Sequence, residues 1–233
     1  SNILSWICDY NLVQLTENMR SKGDGPMMFD WYKTILKNGK SKLETSRMWD
    51  MKKGFPCTGT HIAYTNSTRQ YVNWKMITYY KNKYQLPLLE INNPVHLRCG
   101  IWESNGLVHA CKIRSNKNTE TYYNNQEFYL ISKNDDVFII RDTLTNQNIT
   151  VEEIDLASDF DYNWCTTIHK SQGSSIDKTY IIHDWEHRGF NANLKYVAVS
   201  RTTKLDNIYI MGDYVPSDMG LFQLEYGRTL ELL

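Results

Sequence analysis

The residues best suited to chemistry lie in a short polar run, residues 164–177, between two apolar segments. The hydroxyl groups of Thr167 and Ser171 can donate hydrogen bonds, and Lys170 adds a positive charge. Gly173 lets the backbone approach a ligand closely because it has no Cβ. The run therefore suits phosphate binding, although an ordinary polar turn between a strand and a helix could have the same composition.

Two arginines lie close to the ends of predicted strands. Arg20 follows a short predicted strand at residues 11–15. Residues 194–202 are predicted as a helix running into a loop, so Arg201 lies at the helix end, before a predicted strand at 207–211. Open α/β sheets bind ligands in the crevice beside their strand ends, so both arginines are candidates to face a ligand. A guanidinium is always charged and binds phosphate oxygens through a planar fork. Either arginine could equally form a salt bridge at a surface.

A third position compatible with phosphate is the pair Thr65 and Asn66. These residues end a predicted buried strand at 60–66, and a helix is predicted to start near Ser67 or Thr68. The free N–H groups and the dipole at a helix N-terminus favour anions. Asn66 and Ser67 could also simply cap the helix, and the two roles are compatible.

The first predicted helix begins at Asp24 and ends at Asn38 and Gly39, and its apolar side chains repeat with the helical period at Met28, Trp31, Tyr32, Ile35 and Leu36. The residues Gly39-Lys40-Ser41 resemble the end of a phosphate-binding P-loop. The earlier glycine of that motif would fall at Thr34, within the predicted helix, so the sequence predicts no P-loop here. A nucleotide-hydrolysing role would need its main phosphate cradle elsewhere.

The residue pattern changes between about residues 86 and 162, where short segments of alternating apolar and polar residues are separated by turn residues. Strands are predicted at 95–99, 108–113, 126–131, 137–141 and 147–151. This pattern predicts a small β-barrel inserted into an α/β domain. Residues 120–161 contain ten acidic and two basic side chains, so most of this surface should repel nucleic acid. A scaffold or protein-contact role is as plausible for it as a nucleic-acid contact.

The charge of the chain is balanced overall but unevenly distributed. The 233 residues carry 26 Lys and Arg against 26 Asp and Glu, whereas residues 1–84 carry 13 against 6, a net charge of +7 that leaves −7 for the remainder. Contacts with phosphate groups are therefore expected in the first part of the chain and at specific later loops. A solvated basic face would have the same composition.

Composition also bears on the location of the protein and on metal binding. No run of 18 apolar residues occurs and the first residues do not resemble a signal peptide, so an intracellular location, at the nucleus or a cytoplasmic replication site, is expected and a membrane location is not. The five scattered cysteines predict reduced thiols. No metal site is predicted, because the spacing of His96, Cys99, His109 and Cys111 matches no common zinc finger.

Taken together, these segments resemble the second RecA-like motor domain of superfamily 1 helicases, especially those of the Pif, RecD and Dda type. Residues 167–173 (Thr-Ile-His-Lys-Ser-Gln-Gly) resemble motif V of that family, and residues 196–201 (Tyr-Val-Ala-Val-Ser-Arg) resemble motif VI. Residues 15–20 are similar to motif IV, and residues 62–66 to the family's strand and DNA-contacting turn. The resemblance implies a discontinuous RecA-like domain at 1–88 and 160–233, a parallel sheet with flanking helices, and an inserted SH3-like barrel at 89–159.

The resemblance also implies roles for particular residues. In this family ATP and Mg²⁺ bind between two motor domains, and the second domain supplies arginines that stabilise charge on the γ-phosphate. It implies Arg201 as the arginine finger with Arg20 as its partner, Gln172 and Gly173 facing the nucleotide, and contacts to single-stranded DNA from Thr65, Asn66, Thr167, His169 and Lys170. Further implied partners are the first motor domain of the same polypeptide and, through the inserted barrel, replication proteins.

The sequence departs from the family in what it lacks. It contains no P-loop, no Mg²⁺-binding acidic motif and no first motor domain, so we expect it to be a C-terminal fragment of a helicase that moves 5′ to 3′. Ser175 stands where one branch of the family has a glutamate, which favours the Pif and Dda branch. A non-catalytic nucleic-acid or protein-binding module derived from a helicase, or an RNA helicase fragment, is the alternative. The abundance of Asn, Lys, Ile and Tyr would fit an AT-rich genome such as that of a large DNA virus.

Overall fold

The computed structural model describes residues 24–57, 59–90 and 106–212. It contains a four-stranded parallel sheet, a five-stranded antiparallel sheet and a two-stranded antiparallel pair. This mixed α/β architecture confirms the predicted fold class. Arg20 and the predicted strands at 11–15 and 95–99 lie outside the described residues.

The strands are β1 (Thr60–Ala63), β2 (Leu88–Glu90), β3 (Gly106–Val108), β4 (Lys112–Ser115), β5 (Glu127–Asn134), β6 (Val137–Asp142), β7 (Asn148–Glu152), β8 (Phe160–Tyr162), β9 (Cys165–Thr167), β10 (Tyr180–Ile182) and β11 (Ile208–Ile210). The helices are α1 (Gly25–Leu36), α2 (Lys42–Ser46), α3 (Asn66–Tyr84), α4 (Glu153–Asp159), α5 (Ile168–Ser171) and α6 (Ala192–Val199). Short 3₁₀-helices span Met51–Lys53 and Leu205–Asn207. No described helix has the length and apolar character needed to cross a membrane.

The parallel sheet has the strand order β11-β10-β1-β9. β1 pairs with β10 on one side and with β9 on the other, with Ile62 opposite Ile182 and Ala63 opposite Thr167. Because the strands are parallel, their carboxyl ends lie at the same side of the sheet, which we call the carboxyl edge. The segments that follow β1, β9 and β10 therefore start close together.

The two faces of the parallel sheet are covered by different helices. Successive side chains of a strand point to opposite faces. Ile62 is fully buried in a cluster with Met28 and Trp31 of α1 and Ala198 of α6, whereas the adjacent Ala63 packs with residues of α3. The helical period predicted for α1 is confirmed, except that Leu36 is half exposed. Leu36 is the last residue of the helix, beyond the sheet-facing turns.

Helix α3 starts slightly earlier than predicted and is capped by a different residue. It begins at Asn66, and the cap is Thr65, whose Oγ1 accepts a hydrogen bond of 3.1 Å from the Thr68 N–H. Asn66 and Ser67, the expected caps, are instead exposed in the first turn. The helix ends at Tyr84, and the next residue, Gln85, caps it in a left-handed conformation with φ of 52°.

The antiparallel sheet has the strand order β7-β6-β5-β4-β8. Its outer strands β7 and β8 do not pair with each other, so no barrel closure is found in the described part of the chain. The predicted strand at 108–113 is wrong, because the chain turns at Ala110, with φ of 60°, between β3 and β4. The three later predicted strands correspond to β5, β6 and β7.

Two histidines form a buried pair on the α3 face of the parallel sheet. Nδ1 of His61 lies 2.9 Å from Nε2 of His183, and the ring of Phe55 stacks on His61 at 5.8 Å between centroids. Desolvation by burial, followed by the neighbouring His183, holds the pKa of His61 well below its usual value, and burial lowers the pKa of His183 to about 3. Both rings are therefore neutral in the folded protein, and one donates its N–H to the other.

The histidine pair predicts a loss of stability in mild acid. In the unfolded chain both histidines protonate below pH about 6.5, whereas the folded pair stays neutral down to much lower pH. The contribution of the pair to the free energy of unfolding should therefore be at its maximum above pH 7. It should fall from about pH 6.5 downward, by roughly 1 kcal/mol per pH unit for each histidine. Urea unfolding of His183→Gln across this range should show a shallower decline than the wild type. His187→Gln, at an exposed position, is the matched control, and identical slopes for all three proteins would contradict the account.

Candidate nucleotide and nucleic-acid site

The carboxyl edge brings together the two segments predicted to contact a nucleic acid. Thr65 and Asn66 follow β1, and Thr167, His169 and Lys170 follow or end the neighbouring strand β9. Asn66, His169 and Lys170 are exposed there, whereas Thr167 is buried and caps α5 by accepting a hydrogen bond from the Lys170 N–H. The exposed members can reach a ligand, and Thr167 shapes the turn that presents two of them.

An acidic side chain occupies the turn before α3. Oδ2 of Asp184 accepts hydrogen bonds from the N–H groups of Tyr64 (3.1 Å) and Thr65 (2.9 Å) and from the Thr65 hydroxyl (3.2 Å). Oδ1 of Asp184 accepts a bond of 2.6 Å from the Thr68 hydroxyl. This carboxylate already fills the anion-favouring position that the sequence offered to a phosphate at Thr65. Asn66 and the neighbouring Ser67 are the groups of this turn that face solvent.

The loop that follows α5 is open to solvent. Gln172, Gly173, Ser174 and Ser175 are exposed. Gly173 adopts φ of 89°, and no atom would lie within 4 Å of a Cβ placed there. The glycine is therefore required by its left-handed backbone and not by crowding within the chain. The free space beside it leaves the backbone accessible to a ligand.

Arg201 is held against this loop. Its Nη1 donates to the carbonyl oxygens of Ser171 (3.4 Å) and Ser174 (3.3 Å), and its Nε donates to the carbonyl of Val197 (2.8 Å). The carbonyl of Arg201 in turn accepts a bond of 2.7 Å from the Ile176 N–H. The arginine is 8% exposed. The end of α6 and residues 171–176 thus form one hydrogen-bonded unit.

Lys170 is anchored by residues that sequence reasoning missed. Its Nζ donates to Oδ1 of Asn116 (2.8 Å) and lies 3.3 Å from Oδ2 of Asp161. The same carboxylate oxygen lies 3.1 Å from Nη1 of Arg69 in α3. Asn116 follows β4 and Asp161 lies in β8, so both belong to the antiparallel-sheet segment. No local pattern in the sequence signals these contacts.

Arg114 completes this group of charges at the junction of the two sheets. Its Nη2 donates to the Thr166 hydroxyl (2.8 Å), and Arg114 pairs with Asp161 in the register of β4 and β8. Burial lowers the pKa of Arg114, and the charge of Asp161 opposes that shift. We call Arg69, Arg114, Asp161 and Lys170 the junction cluster.

The described residues contain no group of three or more His, Cys, Asp or Glu side chains placed to hold a metal ion. Burial raises the pKa of the thiols of Cys111 and Cys165, so these two cysteines are unreactive core residues at neutral pH. Arg20, the expected partner of Arg201, lies outside the described residues.

No protein-family model and no curated protein sequence matches this chain. Solved structures of Pif1 helicases are nevertheless similar to it. A Bacteroides Pif1 helicase in complex with ADP-AlF3 and single-stranded DNA gives a TM-score of 0.58 at 19% identity, covering 94% of this chain and 57% of that one. Two coordinating Pif1 helicases that unwind forked double-stranded DNA give 0.57 at 20% identity, with coverage of 88% and 52%. Pif1 helicase from Candida albicans gives 0.56 at 15% identity, with coverage of 91% and 60%.

These similarities concern the fold. This chain spans between 52% and 60% of the length of the three helicase structures, and its parallel and antiparallel sheets match the architecture of RecA-like helicase domains. The chain therefore has the fold of the corresponding part of Pif1 helicases.

The Asp184 contacts predict a marked stability effect. Asp184→Ala removes the acceptor for two backbone N–H groups and two hydroxyls, and it places alanine at a left-handed φ of 61°. We expect the free energy of unfolding to fall by about 2–3 kcal/mol. Glu186→Ala, two residues away and exposed, should change it by less than about 0.5 kcal/mol. Denaturant unfolding followed by circular dichroism measures both, and an Asp184→Ala variant as stable as Glu186→Ala would refute this role.

Proposed function

We propose that this chain is the second motor domain of an ATP-dependent superfamily 1 DNA helicase, which grips single-stranded DNA and supplies an arginine to ATP bound by a first motor domain. One observation carries the proposal. The guanidinium of Arg201 is hydrogen-bonded to Ser171 and Ser174, in the same short segment that presents His169 and Lys170. The arginine proposed to face the nucleotide therefore contacts the same segment that carries the side chains proposed to face the strand. The fold similarity to Pif1 helicases supports the same assignment.

On the strand side, the proposed contacts are polar and independent of base identity. Lys170 offers a positive charge to a phosphate, and the exposed side chains of His169 and Asn66 offer hydrogen bonds to phosphate or sugar. Thr65 and Thr167 act mainly by capping α3 and α5, which fixes the positions of their exposed neighbours. Such contacts position a strand without reading its sequence.

On the nucleotide side, Arg201, Arg20, Gln172 and Gly173 would face the phosphates. ATP supplies the phosphoanhydride bond whose cleavage drives the motor. Arg201 fits a phosphate because its present acceptors include neutral peptide carbonyls, and a charged oxygen is a stronger acceptor for a guanidinium. Gly173 leaves room for close approach of a ligand to the backbone. The P-loop lysine and the Mg²⁺-binding acid would come from the first motor domain.

The shared loop gives a physical route between the two sides. If Arg201 turns toward a phosphate, the carbonyls of Ser171 and Ser174 lose a donor, and the loop keeps its backbone bond from Ile176 to Arg201 but loses its side-chain tether. Lys170 directly precedes Ser171, so the movement reaches the strand-binding side within one residue. Nucleotide state would change the grip on DNA by this path.

The proposed partners are single-stranded DNA and the first motor domain of the same polypeptide. We also propose replication proteins as partners of the antiparallel sheet. Within its segment, residues 120–161 carry ten acidic and two basic side chains, which suits protein contact better than nucleic-acid contact.

Replacing Arg201 tests the motor assignment. In the polypeptide that joins this chain to a P-loop domain, Arg201→Ala should lower ATPase activity stimulated by single-stranded DNA by about 10³-fold or more. Arg188→Ala, an exposed arginine near the same edge of the sheet, should retain activity. Strand affinity without nucleotide, measured by fluorescence anisotropy, should stay within about threefold of wild type for Arg188→Ala. Arg201→Ala should shift it in the direction of the nucleotide effect, because its bonds to Ser171 and Ser174 are lost.

Two outcomes would overturn the proposal. Equal ATPase rates for Arg201→Ala and wild type would remove the arginine finger. Measurable Mg²⁺-dependent ATPase in this chain alone, purified and free of other ATPases, would show that it needs no first motor domain.

A further inference from the structure

Both anchors of the Lys170 ammonium come from the antiparallel-sheet segment. Oδ1 of Asn116 lies 2.8 Å from Nζ, and Oδ2 of Asp161 lies 3.3 Å from it. The lysine side chain is 40% exposed, so one side of the ammonium is held while another faces solvent. Lys170 itself belongs to α5, which follows the parallel sheet.

The two anchors are themselves fixed by the fold. The backbone N–H of Asn116 donates to the carbonyl of Asp159 (2.7 Å), and Asp161 lies in β8 opposite Arg114 of β4. The side chain of Asp161 is 4% exposed and also contacts Arg69 of α3. The position of the ammonium is therefore set by the antiparallel sheet, because its partners lie on or beside two paired strands of that sheet.

The junction cluster carries a surplus of positive charge behind Lys170. Arg69 and Arg114 are each more than nine-tenths buried, and Asp161 is the carboxylate that contacts Arg69 and Lys170. The Nε atoms of both arginines are buried without a hydrogen-bond partner among the described residues. Glu127, opposite Arg114 on β5, also acts on that arginine but is paired with Lys112 at 2.7 Å. The cations of this region therefore still outnumber its carboxylates, and the exposed end at Lys170 is favourable for an anion.

We propose that Asn116 and Asp161 are positioning residues that hold Lys170 for a phosphate of a single-stranded nucleic acid, so that the antiparallel sheet forms part of the strand-binding site. This inference rests on the proposed function, in which Lys170 contacts the strand. It adds that the grip is built jointly by both sheets.

The gain in affinity comes from ordering the lysine before the strand binds. A free lysine side chain loses most of its rotamer freedom when it grips a phosphate. In this protein Asn116 and Asp161 already hold the ammonium, so less side-chain conformational entropy is lost when a phosphate binds. Removing Asn116 should weaken binding through Lys170 while leaving the number of phosphate contacts unchanged.

A double-mutant cycle tests the proposal on this chain. Wild type, Asn116→Ala, Lys170→Ala and the double variant are titrated with fluorescent oligo-dT at several salt concentrations. We expect Lys170→Ala to weaken binding about 5- to 10-fold and to reduce the slope of log affinity against log salt by about 0.7, the share of one phosphate contact on a single strand. Asn116→Ala should weaken binding about 2- to 5-fold with an unchanged slope, and it should have no further effect once Lys170 is absent.

Two controls accompany the cycle. Asn82→Ala, an exposed asparagine at the far end of α3, should bind like wild type. Thermal unfolding should be unaffected in Asn116→Ala, because the backbone bond to Asp159 remains. If Lys170→Ala binds like wild type, the strand role of Lys170 fails and the inference fails with it. If Lys170→Ala weakens binding but Asn116→Ala has no effect, or the same effect with and without Lys170, only the positioning role is refuted.

Discussion

The pairing of β1 with β9 and β10 is the constraint on which the rest of the structure depends. The register of Ala63 with Thr167 and of Ile62 with Ile182 places the ends of three strands at one edge. From that edge the chain enters α3, α5 and the segment that carries Asp184. A shift of one residue in this register would turn buried isoleucines away from α1 and separate the polar segments. The packing of the apolar sheet against its helices fixes this register, and the register places the site residues together.

Charge is used at this edge in two different ways. Asp184 neutralises the helix N-terminus of α3 internally, through four hydrogen bonds, and so removes a ready anion site from solvent. The junction cluster does the reverse, because its cations outnumber its carboxylate and its exposed end is a lysine. The balance favours phosphate on the Lys170 side of the edge. Breaking a buried ion pair of this kind by removing one partner is strongly destabilising, so Asp161 has a structural role in addition to the positioning role proposed for it.

Sequence patterns predicted what depends on local periodicity. The buried face of α1, the helix after β1 and the strands β5, β6 and β7 were all visible as repeats of period 3.6 or 2. The described residues show no barrel closure, which requires the outer strands to pair, and no alternation of side chains encodes which strands pair. The strand predicted at 108–113 is broken at one left-handed residue, Ala110. Alanine rarely adopts a positive φ, so its presence in the sequence gives no signal of a turn.

The contacts within the site could not be predicted from the sequence, for a different reason. Asp184 meets Thr65 across 119 positions in the sequence, and Lys170 meets Asn116 across 54. Such pairs are created by the tertiary arrangement of the sheets. The sequence could predict that residues able to bind phosphate follow strands. The structure shows which of them are exposed, which cap helices and which are held by other side chains.

The central claim is that residues 168–176, which comprise α5 and the loop after it, link Arg201, proposed to face the nucleotide, to Lys170, proposed to face the strand. The most direct measurement is the affinity for single-stranded DNA with and without a non-hydrolysable ATP analogue, in the polypeptide that joins this chain to a P-loop domain. The account predicts that the analogue changes strand affinity by about 5-fold or more in wild type, a typical allosteric coupling, and that the change disappears in Arg201→Ala. A nucleotide effect of equal size in both proteins would contradict it.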